Sequence, residues 1–353
     1  MEYYNTVDTT RIPYDNAAEM AVEVTRMVWP AAPPTLGPRV IILVPDRVFQ
    51  YGFMASSLIH DPINGMLLMT SPDELCSVTR EEIVRINPQG TEEIPPIITV
   101  GPFRPKVVRD IEKMGYAVLQ VRGKNVFETA SNVARLRAQC PPESPDGPNS
   151  LFIISDEQPY EGMPVPYYSA RSGVPILLVQ PKRLPPSTAR ILRDMSDKNV
   201  YVVGGRRAVS DKVLNEIAAI VRPPVRRIAG SDPFATAVEF AQYRDPVTRL
   251  GWNRAKKGRG DAFTFCNVES WELAIAATAL AHQGKHTPLL AVGCEEVPSV
   301  VLNYLEFLKP QLKIPVRPPF MHGFVLGSYE VISREAQVQL ELAVKIDVQP
   351  DNC

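Results

Sequence analysis

The feature that most constrains this chain is a threefold internal repeat. An apolar strand, a turn and a proline-bearing helix start read GMLLMTSPDEL at Gly65–Leu75, PILLVQPKRLPPSTARIL at Pro175–Leu192 and PLLAVGCEEVPSVVLNYL at Pro288–Leu305. Leu67, Leu177 and Leu289 are 110 and 112 residues apart. A second segment recurs downstream: IITVGPFRPKVVRDI with Gly101, VYVVGGRRAVSDKVLNEI with Gly204 and Gly205, and GFVLGSYEVISREAQVQL with Gly327. In each, glycine follows a short apolar strand, at a turn that needs positive φ or leaves no room for a side chain. A third segment opens each repeat: TRIPYDNAAEMA at Thr10–Ala21, RGKNVFETA at Arg122–Ala130 and RIAGSDPFATA at Arg227–Ala237. Asp15, Asn125 and Asp232 are the expected helix N-caps. The fourth is an apolar strand, RVIILVPD at Arg39–Asp46, SLFIISDE at Ser150–Glu157 and DAFTFCNVES at Asp261–Ser270.

Each repeat therefore reads strand, helix, strand, helix, buried strand, helix, strand, helix. Continuous apolar strands alternating with helical patterns predict parallel sheets covered on both faces. The expected architecture is three tandem α/β units, 1–117, 118–224 and 225–353, with boundaries at which a strand from one unit can complete its neighbour. The Leu-Leu strands, with Leu67 and Leu68, Ile176, Leu177 and Leu178, and Leu289 and Leu290, are expected at the centre of their sheets. Burial of each leucine is worth roughly 1.5–3 kcal/mol, which by itself accounts for their presence.

Composition narrows the function. The 353 residues are 45 % hydrophobic and 22 % charged with a formal net charge of -1, which argues against disorder and against a global attraction to nucleic acid. Prolines number thirty-five, about twice the average usage, and their six adjacent pairs fall at the joints of the repeat: Pro33–Pro34, Pro95–Pro96, Pro141–Pro142, Pro185–Pro186, Pro223–Pro224 and Pro318–Pro319. They read as stiffened connections. No apolar run reaches the ~18–20 residues of a membrane span. No secretory signal is read at the N-terminus. Cys76, Cys140, Cys266, Cys294 and Cys353 form no CxxC pair and suit reduced thiols, mostly as small buried hydrophobes. His282 and His286 flank a helix end and are not expected to hold a metal. Dinucleotide, P-loop, zincin and nucleophile-elbow motifs are all missing, and no DxD pair offers a Mg²⁺ site, so no catalytic residue, cofactor or metal is expected.

Taken together, RIAGSDPFATAVEFA, PILLVQPKRLPPSTARIL and VYVVGGRRAVSDKVLNEI resemble the type-2 cell-wall-binding repeat family. The match is strongest over Pro175–Ala241, moderate in the third repeat and weak in the first. The resemblance implies compact Toprim-like or Rossmann-like units packed in threes around a pseudo-threefold axis. It further implies a non-enzymatic module that anchors surface-layer and other exported proteins to an anionic wall polymer, hence a location at the cell surface. It also links the Leu-Leu strands to polymer binding. Several positions depart from the family pattern: Pro233, Asn16 and Val126 stand where the opening motif has Arg, Glu272 replaces an Asp, and the paired glycine survives only as Gly204–Gly205.

Two functional readings follow. In the first, clefts lined by Arg11, Arg122, Arg206, Arg207 and Arg227 hold an anionic polysaccharide by charge-assisted hydrogen bonds. The turn at Gly204–Gly205 would add backbone N–H donors. The basic loop 249–259 (RLGWNRAKKGR), with Arg254, Lys256, Lys257 and Arg259, would add charge, and Trp252 would stack on a sugar or pack on a neighbour. In the second, the chain is a structural protein whose partner is itself, a self-assembling sheet, shell or filament subunit, or a protein-interaction scaffold.

Overall fold

The structure is a computed structural model, and it describes residues 5–30, 37–141, 149–310 and 321–346. Pro33–Pro34, Pro142, Pro318–Pro319 and Cys353 lie outside the described residues. The first repeat runs β1 (Thr9–Ile12), α1 (Ala17–Val28), β2 (Val40–Pro45), α2 (Phe49–Ala55), β3 (Gly65–Thr70), α3 (Ser77–Ile86), β4 (Ile97–Val100) and α4 (Pro105–Lys113). The second runs β5 (Val118–Val121), α5 (Val126–Gln139), β6 (Ser150–Ser155), α6 (Val165–Ser172), β7 (Ile176–Val179), α7 (Pro186–Asp194), β8 (Asn199–Val203) and α8 (Asp211–Ala218). The third runs β9 (Arg226–Ile228), α9 (Pro233–Gln242), β10 (Ala262–Asn267), α10 (Trp271–Ala276), β11 (Leu289–Val292), α11 (Ser299–Leu308), β12 (His322–Leu326) and α12 (Arg334–Val344).

The strands form three parallel sheets of four strands each among the described residues, ordered β3-β2-β4-β5, β7-β6-β8-β9 and β1-β12-β10-β11. The expected α/β architecture of three units is thus present, with each sheet completed by the opening strand of another repeat. β5 pairs with β4, β9 pairs with β8, and β1, from the start of the chain, pairs with β12 near its end. The chain is closed into a ring by its own backbone hydrogen bonds.

Equivalent positions in the three sheets make the same contacts. The turn glycines Gly101, Gly204 and Gly327 adopt φ of 110°, 116° and 92°, and their N–H groups bond the carbonyls of Val121, Ile228 and Ile12 on the donated strand. An added Cβ would also fall 2.6 Å from Val331 at Gly327 and 2.9 Å from Tyr51 at Gly101, so both φ and space call for glycine. The helix that follows begins at Arg104, Ser210 or Ser333, each tied by its N–H to the carbonyl of Pro72, Pro181 or Cys294.

The Leu-Leu strands β3, β7 and β11 are edge strands, not central ones. They are nevertheless at most 1 % exposed from Leu67 to Leu290, because α1, α5 and α9 pack on them and neighbouring units cover their free edges. Around the axis lie α2, α6 and α10, which are almost wholly buried and apolar on nearly all sides, as helices at the centre of a large protein must be. Their approach is close: a Cβ on Gly52 of α2 would sit 2.6 Å from the Ile275 side chain of α10.

Capping is partly as expected. Asn125 and Asp232 cap α5 and α9 with their side chains, but Asn16, not Asp15, caps α1. Asp15 instead accepts hydrogen bonds from the N–H and hydroxyl of Ser328, which fastens the first repeat to the third. Pro186 and Pro233 occupy the first turn of α7 and α9, where a missing N–H costs nothing. Cys140 and Cys266 are buried, whereas Cys76 and Cys294 sit half-exposed at turns.

The ring closure has one side chain at its centre. Arg11 on β1 is 3 % exposed and donates to the Gln337 side chain and to the carbonyls of Gly327, Ser328 and Ile332 at 2.7–2.9 Å. Arg227 holds the register-equivalent place on β9 and donates to the Gly204 carbonyl at 2.8 Å, but its side chain keeps 19 % exposure. Replacing a buried hydrogen-bonded donor strands its acceptors at about 1–3 kcal/mol each, so Arg11→Met should lose roughly 3 kcal/mol or more in urea denaturation. Arg227→Met should lose only about 1 kcal/mol, because water reaches its partners. Equal losses in the two variants would refute the assignment of Arg11 as the closing contact.

Candidate functional site

In open α/β sheets, ligands gather beyond the carboxyl ends of the strands, where loops diverge and backbone groups are left free. The second sheet has a cavity of about 360 Å³ there, lined by residues that include Ser155, Glu157, Tyr160, Glu161, Pro181 and Arg207. The end of β6 supplies the first two, the turn after β7 supplies Pro181, and the Gly204–Gly205 turn after β8 delivers Arg207. A carboxylate pair, a tyrosine ring and a guanidinium suit a ligand that carries both hydroxyls and negative charge.

The backbone cradle expected at Gly204–Gly205 is already filled from within. The N–H of Gly205 donates to the Glu161 carboxylate, so an internal anion takes the place assigned to a ligand. Arg206 pairs with Asp211 at 2.8 Å, and Arg227 pairs with the same carboxylate at 3.2 Å. Arg207 is exposed and makes no hydrogen bond or ion pair among the described residues. Of the arginines expected to line clefts, it is the one the structure leaves facing the cavity with its donors unused.

Next to this cavity, Asp156 accepts a 2.7 Å hydrogen bond at its carbonyl from Gln50 of the first repeat. Its Oδ1 is buried without a partner, and burial pushes the carboxyl up to about 6. Asp46 holds the equivalent position in the first sheet and also has a buried Oδ1 without a hydrogen bond. The third sheet has Val268 there. Sequence reasoning missed Asp46 and Asp156; the aligned strand ends PD and SD carried the only signal.

Four expectations need correction. Arg11 is consumed by ring closure and has no free face for a polymer. Arg122 is exposed but lies one residue beyond β5, so it is not the counterpart of Arg11 and Arg227; Gln120 is. Trp252 is 6 % exposed and packs edge-on against Tyr168 of α6 at 5.4 Å, joining the second and third repeats rather than meeting a sugar. The Leu-Leu strands, buried as described, present no surface to a polymer.

The basic loop is split in the same way. Leu250 and Trp252 are buried, and Arg254 pairs with Asp261 at 2.9 Å. Lys256, Lys257 and Arg259 remain exposed. This loop leads into β10, so it lies at the amino ends of the strands. Arg206, Arg207 and Arg227 lie at the carboxyl ends. The sequence pools these groups, and the fold puts them on opposite faces.

The comparisons with known proteins agree with the fold and repeat pattern. Residues 120–214 match cell wall binding domain 2 (CWB2). The CWB2 segment contains the whole second sheet except β9, and with it most of the cavity. The N-acetylmuramoyl-L-alanine amidase LytC of Bacillus subtilis is 23 % identical over 66 % of this chain, and the amidase enhancer of the same organism is 26 % identical over 55 %. Among solved structures, Cwp8 from Clostridium difficile superposes with a TM-score of 0.74 over 98 % of this chain at 19 % identity, and Cwp6 with 0.73 over 100 % at 18 %. The chain spans 42 % and 24 % of the two Bacillus proteins and 53 % and 51 % of the two Clostridium proteins. Among the described residues no helix is long and apolar enough to cross a membrane, and no cluster of His, Cys, Asp and Glu suits a metal ion.

The amino-end face also sets a pH response. Burial holds His282 down to about 3, with His60 the next cause, and holds His322 down to about 4. A folded-state pKa below the unfolded value means the unfolded chain binds more protons as pH falls, so stability present above pH ~6.5 is lost toward pH ~4. Asp156, with its raised pKa, acts in the opposite sense. The contribution of one histidine is therefore read as a difference: the melting temperature of His282→Gln should fall less steeply from pH ~7 to pH ~4 than that of the unaltered protein. Parallel curves would show that His282 titrates as it does in the unfolded chain.

Proposed function

We propose that this chain is a non-catalytic binding module that holds an anionic cell-wall polymer non-covalently at the cell surface. The observation that carries this reading is the coincidence of the CWB2 match with the second sheet, where an unpaired Arg207 opens into a cavity at the carboxyl ends of the strands. The superposition of nearly all of this chain on about half of each of the two Clostridium structures supports the fold on which such a site is built. The mixed lining favours a polysaccharide with acidic substituents: Glu157, Glu161 and Tyr160 can meet hydroxyls and ring faces while Arg207 meets a negative group.

An exposed guanidinium on an anionic group contributes modestly and is screened by salt. Retention on purified Gram-positive cell walls should accordingly fall as NaCl is raised to about 0.5 M. It should disappear when the wall polysaccharide is stripped. Arg207→Glu should weaken retention by about tenfold, since reversal replaces attraction with repulsion. Retention that survives removal of the polysaccharide would overturn the reading.

A further inference from the structure

Just before β3 and β11 and at the end of α6, positive and titratable groups from the three repeats come together near the axis. The His60 and His282 rings lie 4.9 Å apart, centroid to centroid, from the first and third repeats. Arg171, at the end of α6 in the second repeat, is near enough to His60, His282 and His286 to disfavour the charged form of each. Arg137 of α5 is 2 % exposed, donates to the carbonyls of His60 and Asp61, and leaves its Nε unpartnered. The Nε2 of His282 is likewise buried without a partner. Arg171 makes no hydrogen bond or ion pair among the described residues, resting instead over the Trp252 ring. Arg254, behind His286, is engaged by Asp261. The nearby carboxylate of Asp61 acts on His60 and Arg137, and no carboxylate is paired with Arg171.

The buried Arg137 and half-buried Arg171 guanidinium groups stand here beside a histidine nitrogen without a partner, and buried polar groups left unsatisfied call for one. We propose that His60, Arg171 and His282, one from each repeat, form an axial binding site for a compact oxyanion, a phosphate or pyrophosphate group. Arg171 supplies a permanent charge and a planar fork of donors. The histidines supply proton-linked donors. Nδ1 of His60 bonds the Asp61 carbonyl at 3.0 Å, which makes Nδ1 the protonated nitrogen and leaves Nε2 an acceptor until the ring takes up a second proton. His286 is arranged alike, with Nδ1 3.4 Å from the Ala281 carbonyl. Binding therefore draws protons onto the cluster, and the bound anion ties the first and third repeats, through their histidines, to Arg171 of the second.

This site is separate from the cavity at the carboxyl ends and stands whether or not that cavity holds a polymer. Titration calorimetry with inorganic pyrophosphate tests it. Binding should be saturable, about tenfold tighter near pH 6 than near pH 8, and accompanied by net proton uptake read from two buffers of different ionisation enthalpy. Arg171→Gln should weaken it by about tenfold or more. His282→Gln should flatten its pH dependence. The control Lys124→Gln/Lys212→Gln removes two charges at the carboxyl ends of the strands and should leave affinity within about twofold. No saturable binding, or equal losses in Arg171→Gln and in the control, would overturn the proposal. Wall retention measured beside it separates the sources of the anion. Competition by pyrophosphate assigns the site to a phosphate-bearing polymer, and saturable binding without competition assigns it to a free phosphate compound.

Discussion

The whole structure depends on the strand that each repeat gives away. A parallel sheet exposes two rows of unpaired backbone groups, and a unit of about 110 residues has little surface with which to cover them. Here one edge is extended by the opening strand of another repeat, and the other is buried under the helix that follows such a strand and under neighbouring units. Strand and helix thus work in two places: β5 finishes the first sheet while α5 packs on the second. Closing the circle through β1 and β12 makes the first and last repeats as mutually dependent as any adjacent pair.

That dependence explains which arginines are structural. A donated strand of three or four residues gains few backbone hydrogen bonds, so a side chain that reaches the turn glycine's carbonyl matters. Arg11 and Arg227 both do this. The second repeat has Gln120 at this register, and its strand is held without such a clamp in the described contacts. At β1 the clamp is fullest, and there the strand arrives from the far end of the sequence, so the loop-closure entropy it must offset is largest.

Much of this was legible because the repeat is written in buried residues. Strand cores, turn glycines and prolines at helix starts are fixed by packing and φ, and they appear in the same order three times. Sequence similarity could not show which sheet a strand joins, since β5 has the same apolar pattern whichever partner it takes. It also could not separate burial from exposure among polar residues. Arg11 and Arg207 look alike in a motif, yet one is enclosed by carbonyls and the other opens to a cavity. Trp252 sits in a basic, glycine-bearing loop that reads as surface, and only the neighbouring Tyr168 makes it core. His60, Arg171 and His282 carried no recognisable spacing at all, because the axis assembles them from three repeats.

The same distinction accounts for where the repeats differ. Strand interiors cannot diverge without cavities or strain, so differences collect at strand ends. At one equivalent position the three copies present Asp46, Asp156 and Val268. After the turn glycine they present Pro102, Gly205 and Ser328, and only the second continues into paired arginines. Three like clefts binding one polymer by avidity would need these ends to match. They do not match. The fold keeps threefold symmetry in its core, holds its open mixed-charge cavity in the CWB2-matched repeat, and gathers basic groups at the axis, where a single site can draw on all three copies at once.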